Sequence, residues 1–162
     1  MKRNPRHALA LSLLAALAVT DARALDGLDT PQAASLPPDL VEALRANPAL
    51  KDYALDPRLN PYYLRGDFDA DGKPDIALLI KHKGSGKTGV AIVHGGVTPV
   101  AVLGAGKAFG NGGDEFSWQD AWYVVPDASK AGGDALAILR IESGGGLALW
   151  NGKRYVWQQH GD

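Results

Sequence analysis

The sequence predicts a mainly β fold: an antiparallel meander forming one small sheet or sandwich domain, with a short N-terminal helix. Three observations carry that expectation. From Tyr62 onward, short apolar runs alternate with turns rich in glycine, proline and aspartate, the pattern of successive short strands. Asn151-Gly152 stands between two such runs, the dipeptide favoured in two-residue hairpin turns. No long helical periodicity interrupts the runs, so crossover helices and a parallel sheet are not expected.

Taken in order, Leu25 to Pro38 is polar and proline-containing and reads as a linker or arm. Asp39 to Ala46 follows two prolines and places Leu40, Val41 and Leu44 on one face of a short helix, with Asp39 as N-cap and Asn47-Pro48 as the stop. Asp52 to Asn60 reads as irregular. Ile76 to Ile80 is apolar on both alternating faces, as a central strand requires. Val90 to His94 follows a Gly84-Ser85-Gly86-Lys87 turn, and Val97 to Leu103 follows Gly95-Gly96. Trp122 to Val125 ends at Pro126. Ala135 to Glu142 is a further strand, and Gly144-Gly145-Gly146 leads into Leu147 to Trp150. Lys153 to Gln158 closes the meander.

The N-terminus is set apart from this domain. Lys2, Arg3 and Arg6 precede an apolar stretch from Ala8 to Val19, and Ala22-Arg23-Ala24 offers small residues at a cleavage site. That is the pattern of a secretory signal peptide over residues 1–24. The stretch is shorter than the ~20 residues of a membrane span. A periplasmic or secreted location is expected. Residues 25–162 hold 13 basic and 17 acidic side chains, a net charge of −4, which favours neither nucleic acid nor an anionic membrane. The chain has no cysteine, so no disulfide supports it. The domain organisation expected is a leader, an arm over 25–38 and one β-rich domain over 39–162.

Inside that domain the densest chemistry is the run from Asp67 to Asp75, written DFDADGKPD. Four carboxylates in nine residues repel one another, by about 1 kcal/mol for a pair ~4 Å apart in water and more as the loop dries. A cation among them removes the repulsion. Oxygen ligands at alternating positions around a glycine are what a Ca²⁺ loop requires. The ligands expected are Asp67, Asp69, Asp71, the Lys73 main-chain carbonyl and Asp75, with Gly72 at the sharp turn. The helical calcium hand is excluded, because its twelfth position, a bidentate glutamate, is Leu78 here and the following residues read as a strand.

Gly66-Asp67-Phe68-Asp69, Asp71-Gly72 and Pro74-Asp75-Ile76, with the apolar strand after them, resemble the FG-GAP/VCBS-type repeats of integrin propellers and bacterial surface proteins. The resemblance covers about 20 residues. It implies a structural Ca²⁺ site between two strands, with Asp67, Asp69, Asp71 and Asp75 as side-chain ligands. One good copy leaves no room for a full propeller. The overall layout is similar to that of small secreted bacterial proteins of unassigned function. A weaker echo, Asp127 to Asp134 before the ALAIL strand, has Ser129 and Ala131 at ligand positions and reads as an ordinary loop.

Other motifs carry less. Gly84-Ser85-Gly86-Lys87-Thr88 imitates a phosphate loop, but Lys81 stands where its first glycine belongs and a strand follows in place of a helix. The glycine-rich loop over 104–118 holds Asp114 and Glu115, with Asp120 just beyond, and loops of that length are often functional. Across Asn151-Gly152, pairing sets Trp150 opposite Lys153, and Trp150, Tyr155 and Trp157 share one face against Leu147, Leu149 and Val156 on the other. If the leucine face is the core, the aromatic face is a second packed layer or a partner surface. His82, His94 and His160 show no metal-type spacing.

With no nucleophile motif and no cofactor fingerprint, the function expected is a non-catalytic, calcium-binding envelope module that binds a protein or glycan partner. The alternatives are a small hydrolase using Asp114, Glu115 or Asp120, and an inhibitor or immunity protein of a cell-wall enzyme.

Overall fold

The computed structural model describes residues 25–96 and 99–161; the expected signal peptide and the start of the strand expected from Val97 lie outside them. The elements in chain order are β1 (Leu25–Asp26), α1 (Pro38–Ala46), β2 (Tyr53–Leu55), β3 (Tyr63–Gly66), β4 (Asp75–His82), β5 (Thr88–Val93), β6 (Val100–Gly104), β7 (Ala121–Val125), β8 (Ala135–Arg140), β9 (Gly144–Trp150) and β10 (Tyr155–His160), with short 3₁₀ turns between them. They form two sheets. The first runs β1-β2-β4-β5-β6 with β3 also on β4, and the second runs β10-β9-β8-β7. The fold is a small, mainly β sandwich with one short helix, as the apolar periodicity predicts.

β4 is central, as its two-sided apolar sequence requires. Six successive residues from Asp75 to Ile80 are buried. β5 pairs along one edge, from Ile76 opposite Val93 to Lys81 opposite Thr88. β2 and β3 lie end to end on the other edge, opposite Ile80–His82 and Asp75–Leu78. The segment that reads as irregular thus contributes β2, whose three residues are too few to show a period.

One face of this sheet is covered from the N-terminal side. Ile76 and Arg65 share a cleft with Asp39, Leu40 and Ala43 of α1, and Leu40 and Leu44 are buried. Each fully buried leucine contributes about 1.5–3 kcal/mol. The helix begins one residue earlier than expected, at Pro38, and Asp39 lies in its first turn without capping it. Pro38 takes the first helical position because its missing N–H needs no partner there. Asn47 ends the helix, and its side chain accepts from the Ala49 amide at 3.1 Å. The stretch from Leu25 to Pro38 is an arm docked on the core: Leu25, Leu28, Ala33 and Leu36 are buried, and β1 pairs parallel with β2.

The second sheet presents Trp122, Leu136, Ile138, Ala148 and Tyr155 to the same core. Its hairpin register corrects the sequence expectation. Tyr155 pairs with Trp150 and Trp157 with Ala148, so Asn151 to Arg154 form a four-residue connection in place of a two-residue turn. Asn151 explains it: its side chain accepts the Lys153 and Arg154 amides at 3.0 and 2.9 Å, closing a wider turn. A slip of two residues preserves the faces, and the faces themselves are assigned by the core. The aromatic side packs inward, while Leu147, Leu149 and Val156 are half-buried on the outside, and Tyr123 and Ile141 are exposed. The glycine triplet is part of β9, because the Trp157 indole lies against Gly146 and leaves no space for a side chain.

The two halves follow one plan. β3 to β6 and β7 to β10 are each four-stranded antiparallel meanders, and in both an aspartate-rich loop joins the first two strands.

Candidate functional site

The loop from Asp67 to Asp75 is wound by its own carboxylates. Both oxygens of Asp67 accept main-chain amides, from Asp71 at 3.1 Å and Gly72 at 3.0 Å. Asp69 accepts from the Asp71 amide at 3.2 Å, and Asp71 from the Lys73 amide at 2.8 Å. Short side chains that capture the amides two to five residues ahead produce a tight coil. Gly72 supplies the left-handed turn, with φ of +81°. The result draws carboxylate oxygens of Asp67, Asp69 and Asp71 within 4.8 Å of one another.

Asp75 sits apart from these three. It is fully buried at the start of β4, and its two oxygens accept the Phe68 amide at 2.9 Å and the Gly95 amide at 2.8 Å. Burial pushes its carboxyl above the usual carboxylate range, and the nearby Asp69 charge adds to this, against the two amide bonds that favour the ionised form. Asp75 groups with Asp69 and His94, again within 4.8 Å. The expected ligands therefore form two overlapping sets that share Asp69. Lys73 lies exposed on the outside, its ammonium 3.1 Å from Asp71. The Lys73 amide and ammonium hold the Asp71 carboxyl below its ordinary value.

His94 is the residue that sequence reasoning passed over. Its Nδ1 bonds the second oxygen of Asp69, and its Nε2 lies 3.2 Å from the Tyr155 hydroxyl. Burial, followed by the charges of Asp75, Asp69 and Asp67, pushes the Tyr155 phenol up, so the hydroxyl stays protonated and is able to donate to Nε2. The Nδ1 proton then faces Asp69, an assignment that follows from the bonding network. A signal was available in the hairpin. β4 and β5 pair Ile76 with Val93, so counting back across the turn sets Asp75 against His94.

The other candidates are engaged in structure. Asp114 pairs with Lys87. Glu115 accepts from the Thr88 amide and hydroxyl and from the Ser117 amide and hydroxyl. Partial burial would raise the Glu115 carboxyl; the Ser117 and Thr88 bonds outweigh it and hold the group below the usual range. Asp120 accepts the Ile141 amide at 2.8 Å. Each of these three carboxylates thus has a structural partner of its own. Trp150, Tyr155 and Trp157 are each packed against other rings. Tyr155 is buried, Trp150 packs on His94 and Tyr155, and Trp157 packs on Phe109 and Trp118.

Comparison of the chain with protein-family models, with curated proteins and with solved structures gives no match.

Proposed function

We propose that this chain is a non-catalytic, calcium-stabilised module, periplasmic or secreted, that binds a protein or glycan partner of the cell envelope. The observation that carries the calcium reading is the convergence of Asp67, Asp69 and Asp71 on one small volume at the head of the sandwich. Their donor atoms are all oxygens, which suits a hard cation better than a thiolate- or imidazole-seeking metal. Asp67, Asp69 and Asp71 would hold the ion, with the Lys73 carbonyl and Asp75 as the further expected ligands. His94 and Tyr155 would act behind them, fixing the orientation of Asp69 as outer partners do for ligating carboxylates. The ion would supply no reaction chemistry. Its charge would replace the mutual repulsion of the loop by attraction and tie β3 to β4.

Thermal melting in a calcium titration tests this. An ion that binds the folded chain stabilises it by about 2.7 kcal/mol at a hundredfold excess over its dissociation constant. The melting temperature should therefore rise with calcium, and the rise should shrink strongly in Asp71→Ala. No shift at millimolar calcium, or an equal shift in the variant, defeats the reading.

A further inference from the structure

β6 is the last strand of the first sheet among the described residues. Its register leaves definite main-chain groups unpaired. His94 donates to the Pro99 carbonyl and Ala105 to the Thr88 carbonyl, so odd-numbered residues of β6 face β5, and the alternation of an antiparallel ladder turns Val100 and Val102 outward. The Gly104 carbonyl is taken by the Lys107 amide at 2.9 Å. What remains among the described residues is a short open edge with donors and acceptors at Val100 and Val102.

Beside that edge lies an open cleft of about 460 Å³, bounded by β6, Phe109, Trp150, Tyr155, Lys153 and Arg154. Its ends differ. Tyr155 contacts His94, and His94 is bonded to Pro99, so the β9–β10 connection sits at the Val100 end. Phe109 packs on Trp157, two residues further along β10, toward the Leu103 end. Lys153 and Arg154 are exposed, on a turn fixed by Asn151. The ion pairs among the described residues lie elsewhere, so these two cations have no carboxylate partner there.

We propose that the β6 edge and this cleft bind an extended peptide segment, added antiparallel to β6, with an apolar side chain against Phe109, Trp150 and Tyr155 and a carboxylate at Lys153 and Arg154. Strand addition supplies affinity through main-chain bonds and specificity through alternate side chains. An antiparallel strand ends near Val100, where the two cations stand, so a C-terminal carboxylate or a terminal acidic residue meets them. The inference rests on the partner-binding half of the proposed function and is independent of its calcium half.

A displayed library of short random peptides with free C-termini tests it, selected on the full chain with and without calcium. Enriched peptides should carry alternating apolar residues and a terminal carboxylate. Resynthesised, they should bind about tenfold more weakly as C-terminal amides, and to Lys153→Glu/Arg154→Glu, the loss expected for a charge-assisted bond. Val102→Pro removes an outward donor that no ladder bond uses, a position where an edge strand accepts proline, and it should abolish binding while the melting temperature stays near that of the parent. Absence of enrichment under both conditions overturns the proposal, as does equal binding to the parent, the charge-reversed variant and Val102→Pro. Loss of the calcium shift with peptide binding retained defeats only the calcium reading.

Discussion

Asp134 and Asp67 clasp each other across the two halves of the molecule. The Asp134 carboxylate accepts the Asp67 amide at 3.0 Å, and the Asp134 amide donates to the Asp67 carbonyl at 2.8 Å. The second oxygen of Asp134 accepts the Asp127 amide, seven residues earlier, as Asp75 accepts Phe68 seven residues before itself. Ser129 repeats the winding of the acidic loop, accepting the amides two and four residues ahead. The echo loop is thus a less acidic copy of the acidic one, locked to the main chain of its first aspartate.

Asp134→Ala removes the side-chain half of that clasp and leaves the Asp67 and Asp127 amides without their acceptor. A lost bond to a charged acceptor costs about 1.5–3 kcal/mol, so urea unfolding should show a loss of about 2 kcal/mol. Calcium titration should also show weaker binding, although Asp134 is not an expected ligand. A variant with parental calcium affinity would show that the clasp only joins the two halves.

Tyr155→Phe keeps the ring packing against Trp150 and His94 and removes the donor to His94 Nε2. A buried acceptor left unsatisfied costs about 1–3 kcal/mol. We expect a loss of stability in that range, with nitrogen-15 NMR of His94 showing the imidazole released from its single tautomer. An unchanged tautomer distribution would mean that Asp69 alone orients the ring.

Arg58 fastens the glycine-rich loop to the sandwich. Its guanidinium bonds Asp56 at 2.9 Å, the Gln119 carbonyl at 2.6 Å and the Phe116 carbonyl at 2.8 Å, and reaches the Gln119 side chain. A fixed fork of donors makes these bonds together, and lysine cannot. Arg58→Lys should therefore recover little of the loss in Arg58→Ala, about 2–4 kcal/mol by chemical denaturation for a half-buried pair broken on one side. Full recovery by lysine would reduce the role of Arg58 to charge alone.

The parts of this molecule that were legible in the sequence are those governed by local chemistry. β4 announces itself because a strand buried on both faces must be apolar throughout, and the acidic loop because its carboxylates alternate around one glycine. What was hidden depends on distant partners. β2 is only three residues long and exists because β4 offers it an edge. The arm over 25–38 looks like a linker because four buried apolar residues are scattered among prolines and polar groups. His94 carries no metal-type spacing, since its partners Asp69 and Tyr155 lie 25 and 61 residues away, and only the β4–β5 register sets it against Asp75. Asn151 changed the hairpin register by capturing two amides, an effect that the Asn-Gly dipeptide alone does not reveal.

Glu115 gives the acid limb of stability its direction. Its carboxylate accepts bonds from the Thr88 amide and hydroxyl and the Ser117 amide and hydroxyl. Those bonds favour the ionised form beyond what partial burial takes away, so the folded-state pKa lies below that of the unfolded chain. In the unfolded chain a glutamate titrates near about 4.3. Above that value the carboxylate is charged in both states, and its bonds contribute fully. As pH falls below it, the unfolded chain takes up a proton before the folded one, and stability declines until the folded group is protonated as well. Glu115→Gln keeps one acceptor oxygen and removes the titration. Chemical denaturation from pH 7 down to pH 3 should therefore show a smaller loss of stability in the variant than in the parent, with the two curves converging at the acid end. Parallel curves through that window would show that the Glu115 bonds do not depend on its charge.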